Sequence, residues 1–249
     1  MEKEYNNQIV IGRNPVLELL RSGKMIEKIY LQQGMKGEFE IELRNLLKGT
    51  HIPVSHVHPA KLNGITNQNH QGVIAVTSLI EYVDLETLID DIFFKGEVPS
   101  LLFLDSITDI RNVGSIIRSA EVMGAHGIIL GSKNTAIINH IAIKTSAGAA
   151  FNLPIVKVHS ANNAIEILKN SGISIFSSTL NSKKTISDIN FNVPYCVILG
   201  SEDEGITPHL LKISDEQFKI PQSGKTESLN VSVSAGIILY EATRQRWLK

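Results

Sequence analysis

From residue 99 onward the chain alternates short strand-like runs, most of them largely apolar, with longer stretches in which apolar residues recur every three or four positions. The runs at 101–105, 127–130, 155–158, 173–176, 195–199 and 217–220 have the length and continuity of strands buried on both faces of a parallel sheet. Between them, 113–123, 139–147 and 161–169 read as helices, with Gly124 and Gly172 as stops. A short helix signal follows Gly205, and a last helix runs from the small residues near Ser232 into an Arg-rich end. Repeated βα units of this kind predict an α/β domain with a mostly parallel sheet covered on both faces.

Upstream the periodicities are shorter. Residues 9–31 read as a strand, a helix from about Pro15 to Leu20, and a strand at Ile29-Tyr30-Leu31, with Asn14 as N-cap, Pro15 at the first helical position and Gly23 as stop. Phe39, Leu43, Leu46 and Leu47 mark an amphipathic helix, and 52–57 and 73–76 are further strand candidates. Residues 1–77 are therefore expected to form a smaller α/β domain. Residues 78–98 alternate acidic and apolar positions and read as a linker that partly forms a helix behind Asp84, leaving 99–249 as the larger domain.

Composition narrows the class. Of 249 residues, 43% are hydrophobic and 20% charged, as in a soluble globular protein. The single cysteine, Cys196, lies inside a strand signal, which excludes a disulfide framework and a Cys-based metal site within one chain. Met1 to Asn7 are polar and acidic, unlike a signal peptide, and no apolar run reaches the ~18 residues of a membrane span. A soluble, cytoplasmic protein in a reducing compartment is expected, with neither membrane nor metal as partner. The net charge of −1 conceals a division: 1–77 carry 9 Lys/Arg against 7 Asp/Glu, 101–249 carry 14 against 12, and the acidity is concentrated in 78–100. Two mildly basic pieces permit nucleic-acid binding without arguing for it. His51, His56, His58 and His70 cluster in sequence but lack a metal-site spacing, so they read as loop histidines, with His70 a candidate RNA contact.

Two glycine-bearing loops follow the last two strand signals, Gly200-Ser201-Glu202-Asp203-Glu204-Gly205 and Pro221-Gln222-Ser223-Gly224-Lys225-Thr226-Glu227-Ser228. Such loops at the carboxyl ends of a parallel sheet describe a ligand pocket. A dinucleotide fingerprint is absent, since Ser106-Ile107-Thr108-Asp109 follows the first strand. Gly224-Lys225-Thr226 suggests a phosphate loop, but the glycine required five residues earlier is Lys219, and Glu227 is ill suited to a phosphate nest.

The wording of these loops resembles the SpoU (TrmH-like) RNA 2'-O-ribose methyltransferases. Asn112, Gly114 and Arg118 match the family's first motif, Gly200-Ser201-Glu202 with Gly205 the second, and Ile220-Pro221 with Ser228-Leu229-Asn230-Val231-Ser232-Val233 complete the set in order. Gly12-Arg13-Asn14-Pro15-Val16 and Asn69-His70-Gln71-Gly72-Val73 are similar to the substrate-binding domain joined to many members, a ribosomal-protein-like fold. The resemblance implies a deep trefoil knot, S-adenosyl-L-methionine as cofactor, and a homodimer in which the motif-one arginine stands beside the partner's cofactor. It also implies cofactor contacts at Thr179, Gly200, Ile220 and Leu229, and RNA contacts at Arg13, Asn14, His70 and Gln71. Asn112, Arg118, Glu202, Ser228 and Asn230 are the implied catalytic set.

The chemistry needs a weakly acidic 2'-hydroxyl held in line with a methyl group, and a clamp for the neighbouring phosphate. Arg118 suits phosphate clamping and charge stabilisation through its planar fork of donors. Glu202 either orients Arg118 or accepts the proton, while Ser228 and Asn230 offer neutral hydrogen bonds to the ribose or to the loops. Without the motifs, Asn112 reads equally as an N-cap and Arg118 as a surface arginine. Gln222 departs from the family's usual methionine and makes the pocket wall more polar. The resulting expectation is an rRNA enzyme acting on a guanosine of 23S rRNA; the alternatives are a tRNA ribose methyltransferase and a non-catalytic RNA-binding or resistance factor of the same fold.

Overall fold

The computed structural model describes residues 9–131, 135–224 and 228–247. The polar start and the Lys225-Thr226-Glu227 part of the rejected phosphate loop lie outside the described residues. The chain divides into two compact units, residues 1–81 and 82–249.

The first unit contains β1 (Ile9–Ile11), α1 (Arg13–Arg21), β2 (Ile26–Gln32), α2 (Glu38–Leu47), β3 (Val54–Val57), α3 (Pro59–Asn63) and β4 (Val73–Thr77). Its sheet runs β1-β4-β2-β3, with β4 antiparallel to both neighbours and β3 parallel to β2. Along β2 alternate residues are buried, as a sheet covered on its core face requires. Val16, Leu17 and Leu19 of α1 and Phe39 and Leu43 of α2 pack on Ile29, Leu31, Val73 and Ala75. Two expectations change here. Helix α1 starts before Asn14, with Gly12 at the N-cap in a left-handed conformation (φ 97°), and the amide of Arg13 is bonded by the Gln71 side chain from 58 residues away. Helix α3, unforeseen, is five residues long, too short to show a period, and His58 Nδ1 accepts from the Ala60 amide at its start.

The second unit contains α4 (Leu85–Phe94), β5 (Ser100–Asp105), α5 (Ile110–Val122), β6 (Gly127–Leu130), α6 (His140–Thr145), β7 (Ile155–Lys157) and α7 (Ala161–Asn170). It continues with β8 (Ser174–Ser178), β9 (Tyr195–Gly200), α8 (Pro208–Ile213), β10 (Glu216–Phe218) and α9 (Val231–Trp247). Its six strands are all parallel, in the order β10-β8-β9-β5-β6-β7. Every residue of β5 is buried, as its unbroken apolar run requires. Residues 78–98 are not a linker throughout. Asp84 caps α4 as expected, accepting from the Thr87 amide, but Leu85, Leu88, Ile89 and Ile92 enter the same core as Leu101, Phe103, Ile165 and Ile198. The alternation of acidic and apolar residues there is the two-faced pattern of a docked helix.

Helix α5 likewise starts early. Asp109 is its N-cap, bonded by the Arg111 amide at 2.8 Å, so Asn112 lies inside the helix and is not its cap. Gly114 is a close-approach glycine: a Cβ there would stand 2.9 Å from the Ala142 carbonyl and 2.8 Å from Thr145 Cβ, so α6 rests directly on it. Gly236 does not repeat this in α9. Nothing lies within 4 Å of its Cβ position, and Ala235 beside it makes the buried contact instead.

Candidate active site

The loops that leave β8, β9 and β10, together with the start of α9, enclose a cavity of about 380 Å³ at the carboxyl ends of the sheet. Thr179, Gly200, Ile220 and Leu229 all line it, as do Glu202, Gln222 and Ser228. Strand register places Gly200 opposite Asp105 of β5, so the β9 loop leaves from the centre of the sheet. The loop then folds on itself: the Gly205 amide donates to the Ser201 carbonyl at 3.0 Å and the Glu204 amide to Ser201 Oγ at 3.1 Å. A Cβ at Gly200 would collide with the backbone of Gly205 and Ile206, which accounts for glycine there.

One carboxylate gathers the motifs. Glu202 Oε1 accepts from Asn112 Nδ2 at 3.2 Å, from Asn230 Nδ2, and from the Val231 amide at 3.3 Å. Asn230 Nδ2 also donates to Asn112 Oδ1 at 3.1 Å. Asn230 Oδ1 in turn accepts from the Ser232 amide at 2.9 Å, in the manner of an N-cap for α9. Of the two uses open to Asn230, the structure shows the bond to the active loops. Glu202 thus joins α5, the β9 loop and the start of α9, segments 90 and 28 residues away from it in sequence.

Arg118 is placed differently. It is exposed, does not line the cavity, and has no carboxylate partner among the described residues, so Glu202 does not orient it within one chain. Six residues beyond Asn112 is about 240° around the helix, which turns it away from the Glu202 cluster.

In the first unit, Arg13, Asn14, His70 and Gln71 share a depression of about 690 Å³ with Gln32, Met35, Lys36 and Asn69. Gln71 and His70 shape it as much as line it. Gln71 is held at φ 49°, its side-chain oxygen accepts from the Arg13 amide at 3.0 Å, and its carbonyl accepts from Arg13 Nε at 3.2 Å. His70 Nδ1 accepts from the Gly72 amide at 3.0 Å, and its Nε2 lies 2.8 Å from Asn63 Oδ1, an arrangement that suits the neutral ring with its proton on Nε2. Arg13 also stands over the Phe39 ring at 5.6 Å. Among the described residues no group of three or more candidate metal ligands stands together, and no helix is long and apolar enough to cross a membrane.

Sequence reasoning missed two residues that frame the cavity loop, Asp105 and Thr207. The only signal was an acid ending a buried apolar run.

An all-parallel α/β sheet with a polar-rimmed cavity beyond its strand ends is the architecture of a ligand-binding enzyme domain. Residues 99–240 match the SpoU rRNA Methylase family, and residues 9–83 match the family described as RNA 2'-O ribose methyltransferase substrate binding. The chain belongs to the SpoU methylase family of tRNA/rRNA methyltransferases, whose cofactor is S-adenosylmethionine. It is 32% identical over 238 residues to YacO of Bacillus subtilis (strain 168), named as a TrmH family tRNA/rRNA methyltransferase, with 95% of each chain covered. The structure is similar to that of the SpoU methyltransferase AviRb from Streptomyces viridochromogenes in complex with AdoMet, at TM-score 0.62 and 26% identity, covering 97% of this chain and 91% of that one. The enzyme described as "A. aeolicus TrmH/SpoU tRNA modifying enzyme" aligns at TM-score 0.55 and 27% identity, covering 66% of this chain and 85% of its own. The cavity residues fit the cofactor. Leu199, Ile206, Ile220 and Leu229 offer apolar walls to a purine, and Glu202, Asp203 and Glu204 give the same lining an acidic side that suits a cationic cofactor.

Proposed function

We propose that the chain methylates a ribose 2'-hydroxyl in RNA, with a guanosine of 23S rRNA as its target. The observation that carries this is the union of the three motifs at Glu202, on the rim of the cofactor cavity. Preference for rRNA is supported by the substrate-binding match over 9–83, since the tRNA modifying enzyme aligns with only 66% of this chain. S-adenosylmethionine supplies an electrophilic methyl group when bound. Thr179, Gly200, Ile220 and Leu229 hold it, and Ser228 and Gln222 face the same space. Glu202 and Asn230 fix the loop and the start of α9 around the reacting groups. Arg13, Asn14, His70 and Gln71 form the RNA-contacting depression of the first unit.

Arg118 serves the site of a second copy, clamping phosphate and stabilising charge on the ribose oxygen. Its exposure on the far side of α5 supports this role. So does the apolar surface left open on the paired helices α5 and α9: Val122 is 69% exposed, Tyr240 59% and Trp247 83%. The threading of the chain after β10 is read as the family's trefoil knot, and the protein as cytoplasmic.

The test is transfer of labelled methyl to rRNA and to tRNA from cells lacking the modification, with the product mapped by resistance to alkaline hydrolysis. Label at one guanosine of 23S rRNA is expected. Label in tRNA alone would replace the rRNA assignment, and base methylation would overturn the ribose reading.

A further inference from the structure

Asp105 is the last residue of the central strand β5 and only 7% exposed. A buried carboxylate is costly unless its oxygens are bonded. Here Oδ2 accepts twice from one residue, from the Thr207 amide at 2.7 Å and from Thr207 Oγ1 at 2.6 Å. Oδ1 accepts from Ser106 Oγ at 3.3 Å, and Ser106 itself is held at φ 58°, a conformation uncommon for a residue with a Cβ.

The partner is 102 residues away in sequence, and its position matters more than its identity. The β9 loop begins at Gly200, whose strand register sets it opposite Asp105. It ends at Thr207, bonded to the side chain of the same aspartate. Both feet of the loop therefore stand on one residue. Between them lie Glu202, with its bonds to Asn112, Asn230 and Val231, and five further residues that line the cavity. Thr207 precedes α8 but does not cap it with its side chain; its hydroxyl donates to Asp105 instead.

We propose that Asp105 is a positioning residue: through Thr207 it closes the base of the β9 loop and so sets the shape of the cofactor cavity and the placement of Glu202. This rests on the reading of that loop as the cofactor wall. Two charge-assisted bonds to a carboxylate built into the sheet resist loop opening better than neutral bonds between loop atoms. Misplacement of a wall by a fraction of an ångström is enough to weaken cofactor binding.

The test uses the full-length protein with Thr207→Val, which removes the hydroxyl donor while keeping shape and amide, with Thr207→Ser, which restores the donor, and with Asp105→Asn. For Thr207→Val and Asp105→Asn, KM for S-adenosylmethionine is expected to rise about tenfold or more. Amide hydrogen exchange without cofactor should accelerate within 201–207 and not in β5 or β9. Thr207→Ser should return both readouts to within about twofold of the parent. Unchanged KM in Thr207→Val overturns the proposal, as does acceleration spread over the whole domain, or a serine variant as impaired as the valine one. If the parent protein binds no S-adenosylmethionine, the cofactor-wall reading fails instead. The exchange pattern alone then decides whether Asp105 holds the loop.

Discussion

The two ends of the six-stranded sheet use their polar side chains in opposite ways. At the amino end they are turned inward and consumed. Tyr195 and Ser100 share a hydroxyl contact of 2.6 Å, His126 Nδ1 accepts from the Ser100 amide at 3.0 Å, and His126 Nε2 reaches Glu97 at 3.2 Å. Arg246, from the last turns of α9, donates to the carbonyls of Phe191, Val98, Pro99 and Val193 while lying 4.9 Å over the Tyr195 ring. At the carboxyl end, Glu202, Asn112 and Asn230 bond one another, and Glu202 lines the cavity. The amino end ties side chains to one another and to the carbonyls of neighbouring segments, and that is a stability device. The carboxyl end spends polar groups on arranging other polar groups, which contributes little to folding but defines a site.

If this division holds, variants at the two ends should separate activity from stability. The largest effect is expected at the carboxyl end. Glu202→Ala should lower methyl transfer by on the order of 10²-fold or more, with little change in the thermal midpoint. A fall in midpoint that accounts for the lost activity would erase the contrast. Arg118→Ala and Asn230→Ala should each be inactive alone. If the proposed dimer forms, the two mixed and re-equilibrated should recover about a quarter of parental activity, since half of the dimers would be hybrids with one intact site of two. No recovery in a verified hybrid would place Arg118 and Asn230 in the same protomer's site.

At the amino end the order reverses. Arg246→Ala strips four carbonyls of a donor and should cost about 3 kcal/mol, read as a fall of about 6–12 °C in thermal midpoint, with KM for the cofactor unchanged. Tyr195→Phe and Ser100→Ala should each cost about 1–2 kcal/mol, because the remaining hydroxyl is left buried. The double variant should cost less than the sum, measured by denaturant titration of all four proteins.

The smallest effect concerns His126. Burial holds its pKa below the ordinary 6.5, outweighing the opposing pull of Glu97. The unfolded chain therefore binds this proton first as pH falls, so the neutral ring's contribution is complete above 6.5 and is lost below it. Denaturation midpoints should decline as pH falls below about 6.5, and His126→Gln should flatten part of that slope.

The separation also shows why the motifs were easier to read than their geometry. Gly200 and Gly205 were legible as a loop after a buried run, and the cavity contains every cofactor residue expected from that loop and its neighbours. Asn112 read equally well as a helix cap, because the competing signal, Asp109, stands only three positions earlier and both side chains can accept from a backbone amide. Asn14 lost the same contest to a glycine capped from outside by Gln71. Within 78–98 the helix behind Asp84 was legible from the spacing of Leu85, Leu88, Ile89 and Ile92, but not that these four side chains join the core of the second unit.

The sequence by itself determined the order of strands and helices beyond residue 99, the parallel sheet they form, the cap at Asp84 and the loops that bear the ligand site. Each of these follows from burial and conformational preference over a few neighbouring residues. Only the tertiary structure decided that Asp105 meets Thr207, that Glu202 joins Asn112 to Asn230, and that Arg246 finds its four carbonyls. Those partners lie between 28 and 148 residues apart. A polar side chain carries no local mark of which distant group will satisfy it. That choice is made when packed elements bring loop ends together and exclude water from the groups between them.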